Sequence, residues 1–182
     1  MAFPSKIILG VTGSISAYKA TQIIRLLTKR KAEVQTVLSK GGSQFITPLS
    51  LATLSNHEVL TDFHNPSTGL WHNHVHLGSW ADVILIAPAS ANCIAHLANG
   101  LCNNLLHAIY LSAKCPVYVA PAMDHDMWHH PSVQRNIDLL IKDGIQIIPP
   151  ESGELASGII GDGRLAEPAH IIEFLEAKFL GA

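Results

Sequence analysis

Short apolar runs, each bounded by turn residues, constrain the fold of this chain most strongly. They predict strands at residues 6–11, 33–38, 83–87, 117–120 and 146–148. Runs of this length that alternate with helical sequence indicate β-strands joined by crossover helices, and hence a parallel sheet covered on both faces. We therefore predict one domain over residues 1–182, a three-layer α/β/α architecture with a parallel, Rossmann-like (flavodoxin-like) sheet.

The segments between the runs carry apolar residues at helical spacing. The basic residues at 29–31 suit the carboxyl end of the first helix, and Pro48 suits the first turn of the second. Residues 58–62 are compatible with a short strand, whereas residues 149–168 are rich in Gly and show no clear periodicity. The predicted helices cover residues 14–31, 47–55, 92–112 with a break around Gly100, 131–143 and 169–179.

Small and polar residues follow the predicted strands at the points where they end. In parallel α/β sheets, ligands bind beyond the carboxyl ends of the strands. The residues that this argument places at one edge are Gly13, Ser14, Ser39, Ser90, Ala91, Asn92, Met123 and Asp124. The pattern predicts one binding site along that edge.

The turn after the first strand offers groups that suit an anion. Gly13 permits a tight turn, Ser14 and Ser16 supply hydroxyls, and the following helix start supplies free N–H groups. The spacing differs from Gly-x-Gly-x-x-Gly, and Glu33 stands at the start of the second strand. A mononucleotide phosphate is therefore favoured over a dinucleotide, while an ordinary capped helix is equally compatible with the turn alone.

Composition excludes several classes of partner. Of the residues, 48% are apolar and 14% charged, with a net charge of -2, so no basic face is expected for nucleic acid. The apolar runs are too interrupted for a membrane span, and the low charge favours a homo-oligomer. Three cysteines without zinc spacing and an amino terminus unlike a signal peptide favour a cytoplasmic protein.

Three of the eleven histidines alternate along the chain. His72, His74 and His76 would share one face of an extended segment. No carboxylate or thiol lies nearby in a recognised ligand spacing, and we predict no metal there. His129 and His130 are expected at the surface or an interface.

Several segments in order resemble the homo-oligomeric flavin-containing cysteine decarboxylases. The resemblance covers nearly the whole chain and is greatest to the phosphopantothenoylcysteine decarboxylases of coenzyme A synthesis. The segments that carry it are 10–17, 74–77 with 80–82, 88–93, 98–106, 121–128 and 153–168.

The resemblance implies an FMN enzyme that acts on a cysteine-derived small molecule. In this family the cysteine moiety is oxidised by electron transfer to FMN, and the resulting thioaldehyde-like group lets carbon dioxide leave. The coenzyme A enzymes then return the hydrogen to give phosphopantetheine. The resemblance also implies a trimer or dodecamer with FMN at the subunit boundary, and a substrate clamp at about residues 150–168.

Specific residues take roles by their positions in the matched segments. His74 corresponds to the family's essential base, and imidazole titrates near neutrality. Asp124, Met127 and Arg164 correspond to substrate-binding positions, and Ser157 to the acid of the final reduction. The implied FMN contacts are Gly13, Ser14, Ser16, Ser39, Phe45, Ser90, Ala91, Asn92, Cys93 and Met123.

Two of these positions depart from the family pattern. Asp124 replaces the usual Asn, and an ionised carboxylate would repel a substrate carboxylate. Ser157 replaces the clamp cysteine of the coenzyme A enzymes, and a hydroxyl is a much weaker acid than a thiol. The nearby carboxyl groups of Glu154 and Asp162 could supply the proton instead.

Three alternatives to phosphopantothenoylcysteine decarboxylation remain open at this point. Oxidative decarboxylation of a peptide's carboxyl-terminal cysteine, as in lantibiotic maturation, would give a product short of two further hydrogens. Flavin prenyl transfer is disfavoured because the Gly-Ala-Ser-Gly turn of those enzymes is absent. A non-catalytic flavoprotein that regulates phosphatases is disfavoured because the chain lacks long acidic tails.

Overall fold

The computed structural model describes residues 3–181, and the ends of the predicted domain (Met1, Ala2 and Ala182) lie outside the described residues. A five-stranded sheet forms its centre, in the order β2-β1-β3-β4-β5, with every pair parallel. This is the flavodoxin-like strand order that the alternating pattern predicted. The strands are β1 (Lys6–Val11), β2 (Glu33–Leu38), β3 (Val83–Ala89), β4 (Val117–Pro121) and β5 (Gln146–Ile147).

The parallel register brings the carboxyl ends of the strands to one edge. Val11, the last residue of β1, pairs with Leu38, the last residue of β2. On the other side, Gly10 pairs with Ile86 near the end of β3. The expected short strand at residues 58–62 is reduced to a single parallel bridge between Leu60 and Val37.

The apolar residues of the central strands alternate between two cores, one on each face of the sheet. Ile7 and Leu9 belong to the first core, whereas Ile8 belongs to the second. In β3, Leu85 and Ile84 divide in the same way, and all five of these aliphatic side chains are fully buried. Helices therefore cover both faces, as a three-layer architecture requires.

Eight α-helices lie within the described residues. The predicted helix over 14–31 begins as a 3₁₀ turn at Ile15–Lys19, because Ala17 N–H bonds to Ser14 C=O, and becomes α-helical only afterwards. The predicted break around Gly100 is confirmed. The helices are α1 (Ala20–Lys29), α2 (Pro48–Ser55), α3 (His74–Trp80), α4 (Ala91–Ala98), α5 (Leu105–Leu111), α6 (His125–His129), α7 (Pro131–Lys142) and α8 (Pro168–Leu180).

The prediction that the alternating histidines share an extended face is wrong. His74 is the first residue of α3, and the Asn73 side chain caps this helix by accepting the His76 N–H at 3.0 Å. Residues two apart on a helix point in widely different directions, so His74 and His76 do not share a face.

The glycine-rich segment after β5 is a hairpin rather than irregular chain. Strands β6 (Glu151–Glu154) and β7 (Ile160–Arg164) pair antiparallel, outside the main sheet. Close packing explains its glycines. A Cβ on Gly161 would lie 2.5 Å from His125 Nδ1, and one on Gly163 would lie 2.5 Å from the Met123 carbonyl oxygen. These contacts are tertiary, so the local sequence pattern did not reveal the hairpin.

Over residues 3–181, none of the helices combines the length and the apolar character that crossing a membrane would require. Cys93, Cys102 and Cys115 are all free thiols.

Gly42 lets the loop after β2 pack against the backbone that follows β1. A Cβ at Gly42 would lie 2.7 Å from the Val11 carbonyl oxygen, and backbone cannot move aside as a flexible side chain can. We expect Gly42→Ala to lower the free energy of unfolding by about 1–3 kcal/mol, measured by urea denaturation. The control is Ser43→Ala on the same turn, where the exposed hydroxyl bonds the Lys40 carbonyl; equal stability of the two variants would contradict the packing argument.

Candidate functional site

Two cavities open at the carboxyl edge of the sheet. The first, here called the Asn92 cavity, has a volume of about 620 Å³. The second, the Asp124 cavity, has a volume of about 650 Å³. The single site that the sequence predicted is therefore divided, within one chain, between two concave surfaces.

Hydrogen bonds from Thr12 join the ends of β1 and β3 at the floor of the Asn92 cavity. Its buried hydroxyl donates to the Pro88 carbonyl at 2.8 Å and accepts the Ser90 N–H at 2.8 Å. Its backbone N–H also bonds the Pro88 carbonyl, at 3.2 Å. These bonds fix the start of α4 relative to the turn after β1.

The turns after β1 and β2 meet backbone to backbone. A Cβ on Gly13 would lie 3.2 Å from the Gly41 backbone, so the first turn has little room for a side chain there. Ser39 holds the second turn, since its hydroxyl accepts the Gly42 N–H at 3.1 Å. Both turns contribute to the cavity wall.

The amino-terminal end of α4 forms another wall of the Asn92 cavity. Ser90 caps this helix by accepting the Cys93 N–H at 3.3 Å, and the positive end of the helix dipole faces the cavity. Burial raises the pKa of the Cys93 thiol to about 12. Cys93 is therefore a neutral wall residue near pH 7 and not a thiolate nucleophile.

The lining of the Asn92 cavity suits a flavin mononucleotide. Its volume lies within the ~300–1,000 Å³ that is usual for ligand sites. Phe45 and Phe63 offer apolar rings, Asn103 and Asn104 offer amides, and Lys40 offers a cation for a phosphate. Sequence reasoning did not single out Phe63, which lies in a connecting segment without periodicity. It also did not single out Asn103, which lies within the matched segment 98–106.

The predicted contacts distribute between the cavities as follows. Gly13, Ser39, Phe45, Ser90, Ala91, Asn92, Cys93 and Met127 line the Asn92 cavity. Ser14, Ser16, Met123, Asp124 and Arg164 line the Asp124 cavity. Among the residues that the structure describes, His74 and Ser157 line neither. The resemblance implies a substrate contact for Met127, but Met127 lines the same cavity as most of the expected FMN contacts. It implies an FMN contact for Met123, but Met123 lines the same cavity as Asp124 and Arg164.

The cationic side chains of the Asp124 cavity already form ion pairs within the chain. Glu167 bonds both the Lys19 ammonium, at 2.9 Å, and the Arg164 guanidinium. The bond from Lys19 is the main reason that the pKa of the Glu167 carboxyl lies below its usual range. Asp124 begins α6 without a capping bond from its side chain in residues 3–181. A carboxylate without that bond therefore faces this cavity, while Arg164 is engaged by Glu167.

His74 lies one side chain away from the Asn92 cavity. Its ring meets Phe63, which lines the cavity, edge-on at a centroid distance of 6.2 Å, and meets Trp71 at 5.9 Å. Its Nδ1 is buried without a hydrogen-bond partner in residues 3–181. An unpaired buried nitrogen is uncommon in a folded protein, and it marks His74 as a candidate functional group.

Ser157 occupies the tip of the β6–β7 hairpin. The tip is exposed, and its neighbour Ala156 reaches the Asp124 cavity. The hairpin base is fixed by the bond from Met123 N–H to Gly163 C=O at 2.9 Å. The tip therefore projects from an anchored base, as expected for a clamp.

The profile of the Flavoprotein family matches residues 3–180. The chain belongs to this family. Flavoprotein membership agrees with the chemistry of the Asn92 cavity, and it confirms the family-level expectation drawn from the sequence.

Curated relatives of the chain include a decarboxylase and a coenzyme A biosynthesis protein. A cysteine/cysteine sulfinic acid decarboxylase from an unknown prokaryotic organism is 57% identical over 127 residues, covering 70% of this chain and 35% of that protein. The coenzyme A biosynthesis bifunctional protein CoaBC of Haemophilus influenzae is 43% identical over 173 residues, covering 95% of this chain and 43% of CoaBC. The chain thus spans less than half the length of these relatives.

Solved structures of two decarboxylases resemble the chain over nearly its whole length. A PPC decarboxylase mutant complexed with pantothenoylaminoethenethiol has a TM-score of 0.84 at 35% identity, covering 97% of this chain and 98% of the other. The FMN-dependent cysteine decarboxylase SpaF has a TM-score of 0.76 at 34% identity, covering 92% and 95%. Together with family membership, these relatives confirm FMN as the expected cofactor.

His107 is a buried histidine of the Asn92 cavity that sequence reasoning missed. Its ring stacks on His96 at a centroid distance of 4.9 Å. Burial, with a smaller contribution from the His96 charge, lowers the pKa of His107 to about 4. The cavity wall therefore carries a neutral imidazole at this position near pH 7.

Replacing His107 should reduce the loss of stability in acid. The unfolded chain takes up this proton near the ordinary pKa of 6.5, and the folded chain only near about 4. Between these values the unfolded state binds more protons, so stability falls as the pH falls. We expect His107→Leu to lose less unfolding free energy than wild type between about pH 7 and about pH 4.5, measured by urea denaturation. The exposed control His76→Leu should retain the wild-type loss; an identical pH dependence of wild type and His107→Leu would refute the buried neutral state.

Proposed function

We propose that the protein catalyses the FMN-dependent decarboxylation of the cysteine moiety of 4'-phosphopantothenoylcysteine, giving 4'-phosphopantetheine. The observation that carries this proposal is the likeness over nearly the whole chain to PPC decarboxylase, at a TM-score of 0.84. The 43% identity to CoaBC over 95% of the chain supports the same substrate. The reaction belongs to coenzyme A synthesis, and we assign the protein to the cytoplasm.

The Asn92 cavity would hold FMN. The positive end of α4 and the Lys40 ammonium suit its phosphate. The rings of Phe45 and Phe63 and the amide groups of the wall suit its ring system. When bound, FMN supplies the two-electron redox chemistry, and the protein supplies position and charge.

A second subunit would complete the site. His74 reaches neither cavity of its own chain, yet its buried Nδ1 lacks a partner within residues 3–181. Trp71, whose ring contacts His74, and its neighbour Leu70 are 59% and 69% exposed, and elsewhere in the chain Leu49 is 76% exposed. Large exposed apolar side chains favour a subunit contact. A homo-oligomer, trimer or dodecamer, would place the His74 of one chain against the cavity of another.

The β6–β7 hairpin would close over the substrate. Its anchored base positions Arg164 and its exposed tip carries Ser157, so closure would bring the tip toward the Asp124 cavity. Lid closure excludes water and completes a catalytic arrangement in many enzymes. In this arrangement Asp124 would bind a donor group of the substrate rather than its carboxylate.

Loss of His74 should abolish most of the turnover. With FMN-loaded protein and phosphopantothenoylcysteine, we expect His74→Asn to lower kcat/KM for carbon dioxide release by about 10²–10⁴-fold, the usual contribution of a general base. The matched control is His76→Asn, since His76 is exposed on the same helix, and its activity should stay near the wild-type value. Full activity of His74→Asn with bound FMN would remove His74 from the mechanism.

The role of Ser157 in the final reduction of the product can be tested by mass spectrometry. If its hydroxyl takes part in the final reduction, Ser157→Ala should release carbon dioxide and yield a product two hydrogens lighter than phosphopantetheine, measured by mass spectrometry. Glu154→Gln on the same hairpin serves as the comparison, because its carboxyl group is one of the two other candidate donors, with Asp162. A reduced product from Ser157→Ala and a lighter product from Glu154→Gln would transfer the role to Glu154.

A second candidate substrate is free cysteine or cysteine sulfinic acid. The relative that is 57% identical over 127 residues bears that activity in its name. Asp124 is compatible with it, since a free amino acid carries an ammonium group that a carboxylate can bind, whereas an acylated cysteine carries only an amide N–H. Parallel assays with phosphopantothenoylcysteine, cysteine and cysteine sulfinic acid distinguish the coenzyme A substrate from a free amino acid substrate. A higher kcat/KM for free cysteine would overturn the coenzyme A assignment and leave the FMN decarboxylase assignment intact. A higher kcat/KM for cysteine sulfinic acid, which has no thiol for FMN to oxidise, would overturn both.

A further inference from the structure

Two histidines and an aspartate meet where the clamp hairpin packs on α6. His125 and His129 are four residues apart, so they lie on one face of α6. Asp162 of β7 packs against that face. One ligand atom from each of the three side chains lies within 4.8 Å of the other two.

The three side chains already contact one another. His129 Nε2 lies 3.3 Å from Asp162 Oδ2, and the His125 and His129 rings meet edge to face at a centroid distance of 4.5 Å. The Asp162 backbone N–H donates to His125 Nδ1 at 3.2 Å. Glycine at position 161 makes this approach possible, because a Cβ there would collide with the His125 ring.

Two imidazole nitrogens and one carboxylate oxygen form a donor set that suits a borderline divalent cation. Zn²⁺ takes such ligands at about 2.0–2.2 Å, so neighbouring ligand atoms in a tetrahedral site lie about 3.3 Å apart. The contact between His129 and Asp162 already has that spacing. Mg²⁺ prefers an all-oxygen octahedral shell, which this cluster does not offer.

We propose that His125, His129 and Asp162 form a binding site for a divalent transition-metal ion of the Zn²⁺ type, which ties the β6–β7 hairpin to α6. Three protein ligands leave a fourth position for water. This site is separate from the alternating histidines near α3, and it does not depend on the identity of the substrate.

Metal binding would replace one existing contact of the hairpin with a stronger one. A neutral imidazole bound to a metal through one nitrogen carries its proton on the other. His125 therefore cannot accept the Asp162 N–H while it binds a metal. One neutral hydrogen bond contributes only about 1 kcal/mol, so coordination by three ligands outweighs its loss. The hairpin base would then be held by metal–ligand bonds across two elements.

Calorimetric titration of the FMN-loaded full chain with ZnCl₂ tests the site. We expect one binding event that MgCl₂ does not reproduce. His129→Ala and Asp162→Asn should each weaken that event by at least about tenfold. Zn²⁺ should also slow proteolytic cleavage at the hairpin tip, residues 156–158, in the wild type and not in the two variants.

The neighbouring histidine provides the matched control. His130 is exposed and caps α7 by accepting the Ser132 N–H at 3.2 Å, so His130→Asn retains a capping residue outside the cluster. Its Zn²⁺ affinity should equal that of the wild type. Wild-type affinity in both His129→Ala and Asp162→Asn would overturn the proposal, as would an equal loss of affinity in His130→Asn.

Discussion

The fixed geometry at the ends of β1 and β3 supports the rest of the candidate site. Thr12 bonds Pro88 and Ser90 through one buried hydroxyl, so the turn after β1 and the start of α4 move as one unit. Because the strands are parallel and in register, the ends of β2 and β4 reach the same edge. The Asn92 cavity and the Asp124 cavity lie on this edge because the sheet sets their positions and the loops supply their chemistry.

Charge distinguishes the two cavities. In the first, Asn92, Asn103 and the hydroxyls are neutral, and the two charged side chains of the wall, Lys40 and Asp62, have opposite signs. The second contains Lys19 and Arg164, but Glu167 bonds both of them, and Asp124 adds a further carboxylate. A flavin phosphate therefore suits the first cavity better than the second. The replacement of the family's Asn by Asp124 has its effect in the second cavity, where substrate recognition is proposed.

The β6–β7 hairpin is the element whose structure depends most on tertiary contacts and least on local sequence. Its glycines gave no periodic signal, and the sequence pattern therefore suggested irregular chain at residues 149–168. In the structure Gly161 and Gly163 lie against His125 and Met123, and the strands form because those close approaches allow pairing. The same contacts bring Asp162 to the histidines of α6. Residues 33 and 37 positions apart thus form a cluster that no spacing rule could reveal.

Local patterns did predict the elements whose signals are contained in a few neighbouring residues. Thr47 and Pro48 start α2 as expected, and the break near Gly100 separates α4 from α5. The helix that carries His74 has a local signal in Asn73, whose side chain accepts the His76 N–H, but the alternating histidines suggested an extended segment instead. By contrast, nothing in the neighbourhood of Phe63 or His107 indicates that each faces the Asn92 cavity.

The sequence by itself determined the order of strands and helices, the parallel sheet, the family and the edge at which ligands bind. The strands, the parallel sheet and the binding edge follow from hydrophobic periodicity and turn chemistry, which act over a few residues. The family follows from the resemblance of several whole segments. Only the tertiary structure decided the division into two cavities, the pairing of Lys19 and Arg164 with Glu167, and the isolation of His74 from its own chain's cavity. Such properties depend on distances between segments far apart in the chain, and packing of the whole domain sets those distances.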